Sequence, residues 1–230
     1  MESLIVVARP RDGASAGSPE QILGGGSAER ISKALREDVS ALACAFRDSA
    51  MSSDSNRKIV VLAGARGEDD VTAEALLDAT GGRMLHTEEP TTGAAILGAV
   101  RSEFERGARA VAALYLDTPT LPLHLIDHAF RALCFHDLVL GPCVDGAPYL
   151  IGARRPLSPA VEELAWGEPA LVTVALRALS AKRLYLMPFW YHLAQPEVHE
   201  LLRAHQRYLQ ERRPDQDSAT ASLLDTYDAG

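Results

Sequence analysis

Cysteine is scarce and poorly placed for chemistry: Cys44, Cys134 and Cys143 are odd in number and form no Cys-x-x-Cys pair. That argues against a disulfide framework or a structural zinc site and points to a reducing, cytoplasmic setting. Aromatic residues make up only 6% of the 230 residues, too few for base-stacking platforms. Positive charge is in deficit. The 23 Lys and Arg against 31 Asp and Glu leave −8, so the chain lacks the basic footprint of a nucleic-acid binder. A local basic pocket for a phosphate remains compatible with that balance. No apolar run reaches the roughly 18 residues of a membrane span, and Leu4–Ala8 is too short for a signal peptide. Neither a Walker A pattern nor G-x-G-x-x-G occurs, and there is no Ser-centred nucleophile elbow.

What the sequence does hold is an alternation of apolar runs and helical periods. Leu4–Ala8, Lys58–Ala63 and Ala110–Leu116 read as buried strands, with shorter ones at Met84-Leu85, Asp137–Leu140, Tyr149–Ile151 and Leu184–Met187. Between them, Ile31, Leu35, Val39, Leu42 and Phe46 recur at steps of three and four, which predicts a helix starting at Ser27. Asp69 or Asp70 is placed to cap a second helix and Thr91 or Thr92 a third; Pro122 suits the first turn of a fourth. Further helices are expected at 158–165, 169–180 and 196–212. In the last, Val198, Leu201, Leu202, Tyr208 and Leu209 share one broad side, which packs either on its own sheet or on a second copy in a homodimer. Strands separated by helices of this length predict a three-layer α/β/α sandwich with a mainly parallel central sheet. Residues 1–212 form one expected domain, and 213–230, rich in Asp, Ser and Ala, an expected mobile acidic tail.

Open sheets of this kind bind ligands beyond the carboxyl ends of their strands. That rule selects Ala8–Arg11, Asp117–Pro119 and the turn at Asp145-Gly146. Asp117 directly follows a buried strand. A carboxylate there suits a Mg²⁺ or Mn²⁺ ion carrying phosphate oxygens, or it caps a turn before Pro119. Asp145-Gly146 sets either a ligand-facing loop or a plain strand connection. Backbone amides around Ala8, with the forked donors of Arg9 and Arg11, suit a base or a phosphate. Gly24-Gly25-Gly26 before the Ser27 helix is either a flexible loop or an anion site at a helix start. His124 and His128 stand four apart on a predicted helix, a metal pair or a solvated face.

Four ordered segments carry a resemblance: LIVVARP from Leu4, LDTPTLP from Leu116, LVLGPCVDGAPYLIG from Leu138, and ELAWGEPAL from Glu163. Together they resemble the glycosyltransferase-like family of nucleotide-diphospho-sugar-transferase fold, of GT-A, Rossmann-like type. Its kin are the deazaflavin-coenzyme guanylyltransferases and the molybdenum-cofactor nucleotidyltransferases. LDTPTLP resembles the family's Ser-Asp-x-Pro-x-Leu-Pro motif, with Leu116 in place of serine, and the resemblance implies that Asp117 is its metal-binding aspartate. LVLGPCVDGAPYLIG resembles Gly-Pro-x-x-Asp-Gly-Gly-Tyr-Tyr-Leu-Ile-Gly, keeping Asp145, Gly146 and Tyr149 but placing Ala147 and Pro148 where glycine and tyrosine are usual. Trp166-Gly167 is similar to a downstream Trp-Gly-Thr motif.

Two departures bear on activity. The family places Lys-Thr-Arg-Leu shortly after the first strand; here no Lys or Arg stands between Arg11 and Arg30. The family's Asp-Val-Asp-Thr, with a second metal-facing carboxylate, corresponds to His192, Leu193, Ala194 and Gln195. Each lost charge-assisted contact is worth about 1.5–3 kcal/mol, so two losses weaken binding by a few hundredfold or more. His192 would replace the lost ligand best for Mn²⁺, which accepts imidazole more readily than Mg²⁺ does. The resemblance thus implies a glycosyl- or nucleotidyltransferase-like protein that binds a nucleotide or nucleotide-sugar through a divalent metal, with weakened or lost activity. The alternative is a catalytically inactive member serving as a binding or scaffold protein.

Overall fold

The computed structural model describes residues 1–8, 28–49, 56–65, 70–118, 120–144, 146–164, 166, 170–193 and the positions 201, 204, 205, 208, 211 and 219. Seven strands form one sheet: β1 (Glu2–Val7), β2 (Arg57–Ala63), β3 (Arg83–His86), β4 (Ala110–Tyr115), β5 (Leu138–Pro142), β6 (Pro148–Arg154) and β7 (Leu184–Leu186). The helices are α1 (Ala28–Asp48), α2 (Val71–Thr80), α3 (Thr92–Glu105), α4 (Leu123–Ala132), α5 (Pro159–Glu162) and α6 (Leu171–Ala178). The strand order is β3-β2-β1-β4-β6-β5-β7, parallel except that β6 runs antiparallel to both neighbours.

The apolar runs become strands because the sheet is covered on both faces, so consecutive residues are all buried. In β1, Leu4 and Val6 face one layer while Ile5 and Val7 face the other, all four fully enclosed. The first layer holds α1, α2 and α4, through Val39, Phe46, Leu76, Ile126 and Phe130. The second holds α3, α5 and α6, through Ile96, Val100, Val161, Leu171 and Val172. Each such side chain contributes about 1.5–3 kcal/mol of burial. The expected three-layer sandwich is the observed architecture.

The helix starts follow the side chains singled out above. Asp70 accepts from the Ala73 amide at 2.9 Å, and Thr91 from the Ala94 amide at 3.2 Å. Pro122 stands one residue before α4, as its N-cap. The helix expected at 158–165 is only the single turn of α5. The one expected at 196–212 falls mostly outside the described residues, of which Leu201, Ala204, His205, Tyr208 and Glu211 are helical. From the tail, the Ala219 amide donates to Asp38 Oδ1 at 2.7 Å.

Asp137 clamps the far half of the sheet. Its Oδ1 meets Arg154 Nη2 at 2.8 Å and its Oδ2 meets Arg183 Nε at 2.6 Å, tying the approaches to β5 and β7 to the end of β6. Burial raises its pKa, but the two guanidinium hydrogen bonds outweigh that and hold it below the ordinary 3.8. A carboxylate with a depressed folded-state pKa stabilises the fold above its unfolded value, and the stabilisation is lost as pH falls through the folded value. Asp137→Ala should therefore lower unfolding free energy by about 1–3 kcal/mol at pH 7. In urea titrations the gap between variant and parent should close below pH 4, as the parent loses the same interaction.

Candidate functional site

The register brings the selected loops to one rim. Val7 of β1 pairs with Tyr115 of β4 on one side and Leu62 of β2 on the other, so Ala8 and Leu116-Asp117 leave the sheet side by side. Ala8 extends the ladder by donating to the Leu62 carbonyl at 3.0 Å. β5 runs parallel to β4, so its turn at Cys143, Val144 and Gly146 opens on the same rim. Gly146 adopts φ +90°, a left-handed backbone that favours glycine, and its amide donates to the Cys143 carbonyl at 3.0 Å. Asp145, Arg9, Arg11, Pro119, Gly167 and Gly24–Gly26 lie outside the described residues.

Asp117 is fixed from both sides. Thr118, fully buried, closes the turn by donating its hydroxyl to the Tyr115 carbonyl at 2.8 Å. The Leu193 amide donates to the Asp117 carbonyl at 2.9 Å. This second bond comes from the segment that corresponds to the family's Asp-Val-Asp-Thr. After β7, the Met187 amide donates to the Leu140 carbonyl at 2.8 Å and the Trp190 amide to the Pro142 carbonyl at 3.0 Å. The chain so guided across the rim delivers His192, only 4% exposed, to Asp117: Nδ1 lies 3.4 Å from Oδ2. That is longer than an ordinary N–H···O hydrogen bond of about 2.7–3.2 Å. The carboxylate itself is 19% exposed.

One carboxylate and one imidazole are a partial donor set. Among the described residues no cluster of three His, Cys, Asp or Glu side chains is assembled for a metal. Two protein ligands fit a cation that takes its remaining ligands from phosphate oxygens and water. The imidazole tilts such a site toward Mn²⁺ over Mg²⁺. His124 and His128 do not make an alternative site: His124 is exposed, and His128 Nε2 shares a 3.0 Å hydrogen bond with the Tyr185 hydroxyl.

Tyr149, carried by the Gly-Pro-x-x-Asp-Gly segment, has a packing reason. Its ring lies flat over Gly141, and its hydroxyl donates to the Pro188 carbonyl at 3.1 Å, pinning the segment that carries His192. Burial drives this phenol well above its ordinary pKa, so it stays a donor.

Beside the pair stands a ring cluster that sequence reading missed. Trp190 and Tyr191 stack at 5.3 Å between centroids, and His205 meets both edge-on at 5.6 and 5.9 Å. The Tyr191 hydroxyl bonds Thr120 Oγ and, at 2.7 Å, His205 Nδ1. Burial raises the Tyr191 pKa and lowers that of His205, so this chain joins neutral groups. The one available signal was the Phe-Trp-Tyr run at 189–191 in a chain poor in aromatics.

The mostly parallel seven-stranded sheet between two helix layers matches the nucleotide-diphospho-sugar-transferase fold. A protein of Desulfovibrio desulfuricans G20 assigned to that class superposes with TM-score 0.72 at 20% identity, over 99% of this chain and 95% of that one. A Methanothermobacter nucleotidyl transferase gives 0.55 at 16% identity, over 89% and 97%. A CMP:2-keto-3-deoxy-manno-octonic acid synthetase complexed with CTP gives 0.51 at 11%, over 90% and 98%. No curated protein matches the chain in sequence. The model of one family does, across residues 47–168, more than half of the chain; the protein belongs to that family, described as "Uncharacterized protein conserved in bacteria (DUF2064)". Among the described residues no helix is long and apolar enough to cross a membrane.

Proposed function

We propose that the protein binds a nucleotide or nucleotide-sugar at the carboxyl ends of β1, β4 and β5, through a divalent cation held by Asp117 and His192, and that it is a weakened glycosyl- or nucleotidyltransferase. The observation that carries this is the approach of His192 to Asp117 at the carboxyl end of β4 in a sheet of transferase-like fold. The synthetase of this fold complexed with CTP supports a nucleotide as the ligand class. A bound Mn²⁺ or Mg²⁺ would neutralise phosphate charge and polarise the reacting group.

The chain's own residues supply positioning. Asp117 is held by the Thr118 turn and by the Leu193 amide, so little ordering remains to be done on binding. Ala8 and Gly146 offer backbone close to the ligand. In this reading Arg9 and Arg11 face the phosphates and Asp145 orients the acceptor. Transfer of this kind needs alignment and charge neutralisation more than covalent catalysis.

A second reading, binding without turnover, is favoured by one observation: no cation stands between Arg11 and Arg30. The two separate in one experiment. Calorimetric titration with nucleoside triphosphates and nucleotide-sugars should show binding that requires Mn²⁺, with slow product formation in the same mixture. Mn²⁺-dependent binding without product selects the scaffold reading. No binding with or without metal defeats both.

A further inference from the structure

A groove of about 430 Å³ lies on the same rim, and the proposed function leaves it unused. Val144, Phe189, Trp190, Tyr191, Leu201, His205 and Tyr208 line it. We infer that this groove is the acceptor subsite of the proposed transferase and takes an uncharged, apolar-bodied alcohol, with its ring or chain in the groove and its hydroxyl toward Asp117. The inference rests on the transferase reading and adds the substrate class.

Three observations carry it. First, the lining is apolar and unusually open: Val144 is 75% exposed, Phe189 61%, and Leu201 and Tyr208 51% each. Single exposed apolar residues are ordinary, but a concave set of four is the mark of a binding surface. Second, none of the described lining residues carries a carboxylate, ammonium or guanidinium, and burial keeps His205 neutral. A phosphate or a carboxylate would find no partner among the described lining residues, which favours an uncharged ligand part in the groove. Third, the groove wall is tied to the Asp117 turn, along the chain and by one hydrogen bond. Tyr191 precedes His192, and the Tyr191 hydroxyl bonds Thr120, three residues beyond Asp117. The Thr120–Tyr191–His205 chain is the polar handle that an otherwise apolar wall offers a hydroxyl.

The size favours a small molecule. Ligand pockets run about 300–1,000 Å³. A stable protein partner would need about 800 Å² of surface on each side. In the transfer, the acceptor oxygen forms a bond to the transferred phosphorus or sugar carbon while the bond to the leaving phosphate breaks. The hydroxyl proton passes to water.

The test uses 2-naphthol, two apolar rings with one hydroxyl, titrated into the full chain and followed by calorimetry. Saturable binding is expected, weakened tenfold or more by Val144→Asp and by Phe189→Ser, both at exposed positions where folding is insensitive. Mn²⁺-dependent nucleotide binding should be unchanged in Phe189→Ser. Non-saturable binding, or binding indifferent to both substitutions, overturns the inference while nucleotide titrations still judge the proposed function separately. So does a concentration-dependent dimer in sedimentation that Leu201→Asp dissociates, because a second copy would then fill the groove. Saturable, variant-sensitive naphthol binding beside absent nucleotide binding overturns the transferase reading and with it the acceptor role.

Discussion

Asp117→Asn is expected to abolish Mn²⁺-dependent nucleotide binding while leaving the fold intact. The substitution keeps the volume and removes the charge. The main-chain contacts that hold the turn, from the Leu193 amide and the Thr118 hydroxyl, do not involve the side chain. What is lost is the sole described carboxylate at the pair, worth about 1.5–3 kcal/mol as a charge-assisted contact and more when the metal leaves with it. Affinity measured by calorimetry should fall at least a hundredfold, since about 1.4 kcal/mol is tenfold. His192→Ala should be milder in Mg²⁺ and severe in Mn²⁺, because only the softer ion draws much from imidazole. His192→Asp should move the preference back toward Mg²⁺. An Asp117→Asn protein that binds nucleotide as tightly as the parent would remove the proposed site.

Gly141→Ala should cost more stability than a methyl added at Gly98 or Gly152. A Cβ on Gly141 would stand 2.5 Å from Tyr149 Cε2 and 2.7 Å from Cε1, well inside contact distance. The ring cannot yield, since Tyr149 is fully buried in the first core layer and its hydroxyl is anchored on Pro188. Overpacking of this kind costs about 1–3 kcal/mol, and the backbone on both sides is strand, which leaves little slack. Urea unfolding should show a loss at the top of that range. Tyr149→Leu in the same chain should recover part of it, a coupling that a double-mutant cycle measures directly. The damage should also reach function. Tyr149 steadies Pro188, and the segment that follows presents His192, so metal affinity should drop in Gly141→Ala even in the folded fraction. Full additivity of the two substitutions would show that the ring and the glycine do not meet.

The layers of the fold were legible because they rest on local signals. β1, β2 and β4 are buried on both faces, so they read as unbroken apolar runs, and Asp70 and Thr91 cap their helices through contacts three residues away. Asp117 was legible for a similar reason, as a charge at the end of such a run. The insertion of β6 between β4 and β5 was not legible. A strand enclosed on both faces shows no alternation from which its neighbours could be inferred, and its place is set by non-local pairing. The contact of His192 with Asp117 was reachable only through the family resemblance, which set His192 opposite a lost carboxylate. The Trp190–Tyr191–His205 cluster was missed because its members come from a loop and a separate helical stretch, with no shared period.

The segment from Met187 to Leu193 touches β5 twice and then Asp117, in chain order. Synthesis on the ribosome proceeds from the other end, and domains gain structure as they emerge. The carboxylate of Asp117 is therefore produced before its imidazole neighbour, which arrives only with the segment after the last strand. On the proposed function, a growing chain would hold a metal and a nucleotide poorly until that final crossing is in place, so ligand capture would report that translation has passed the last strand of the sheet.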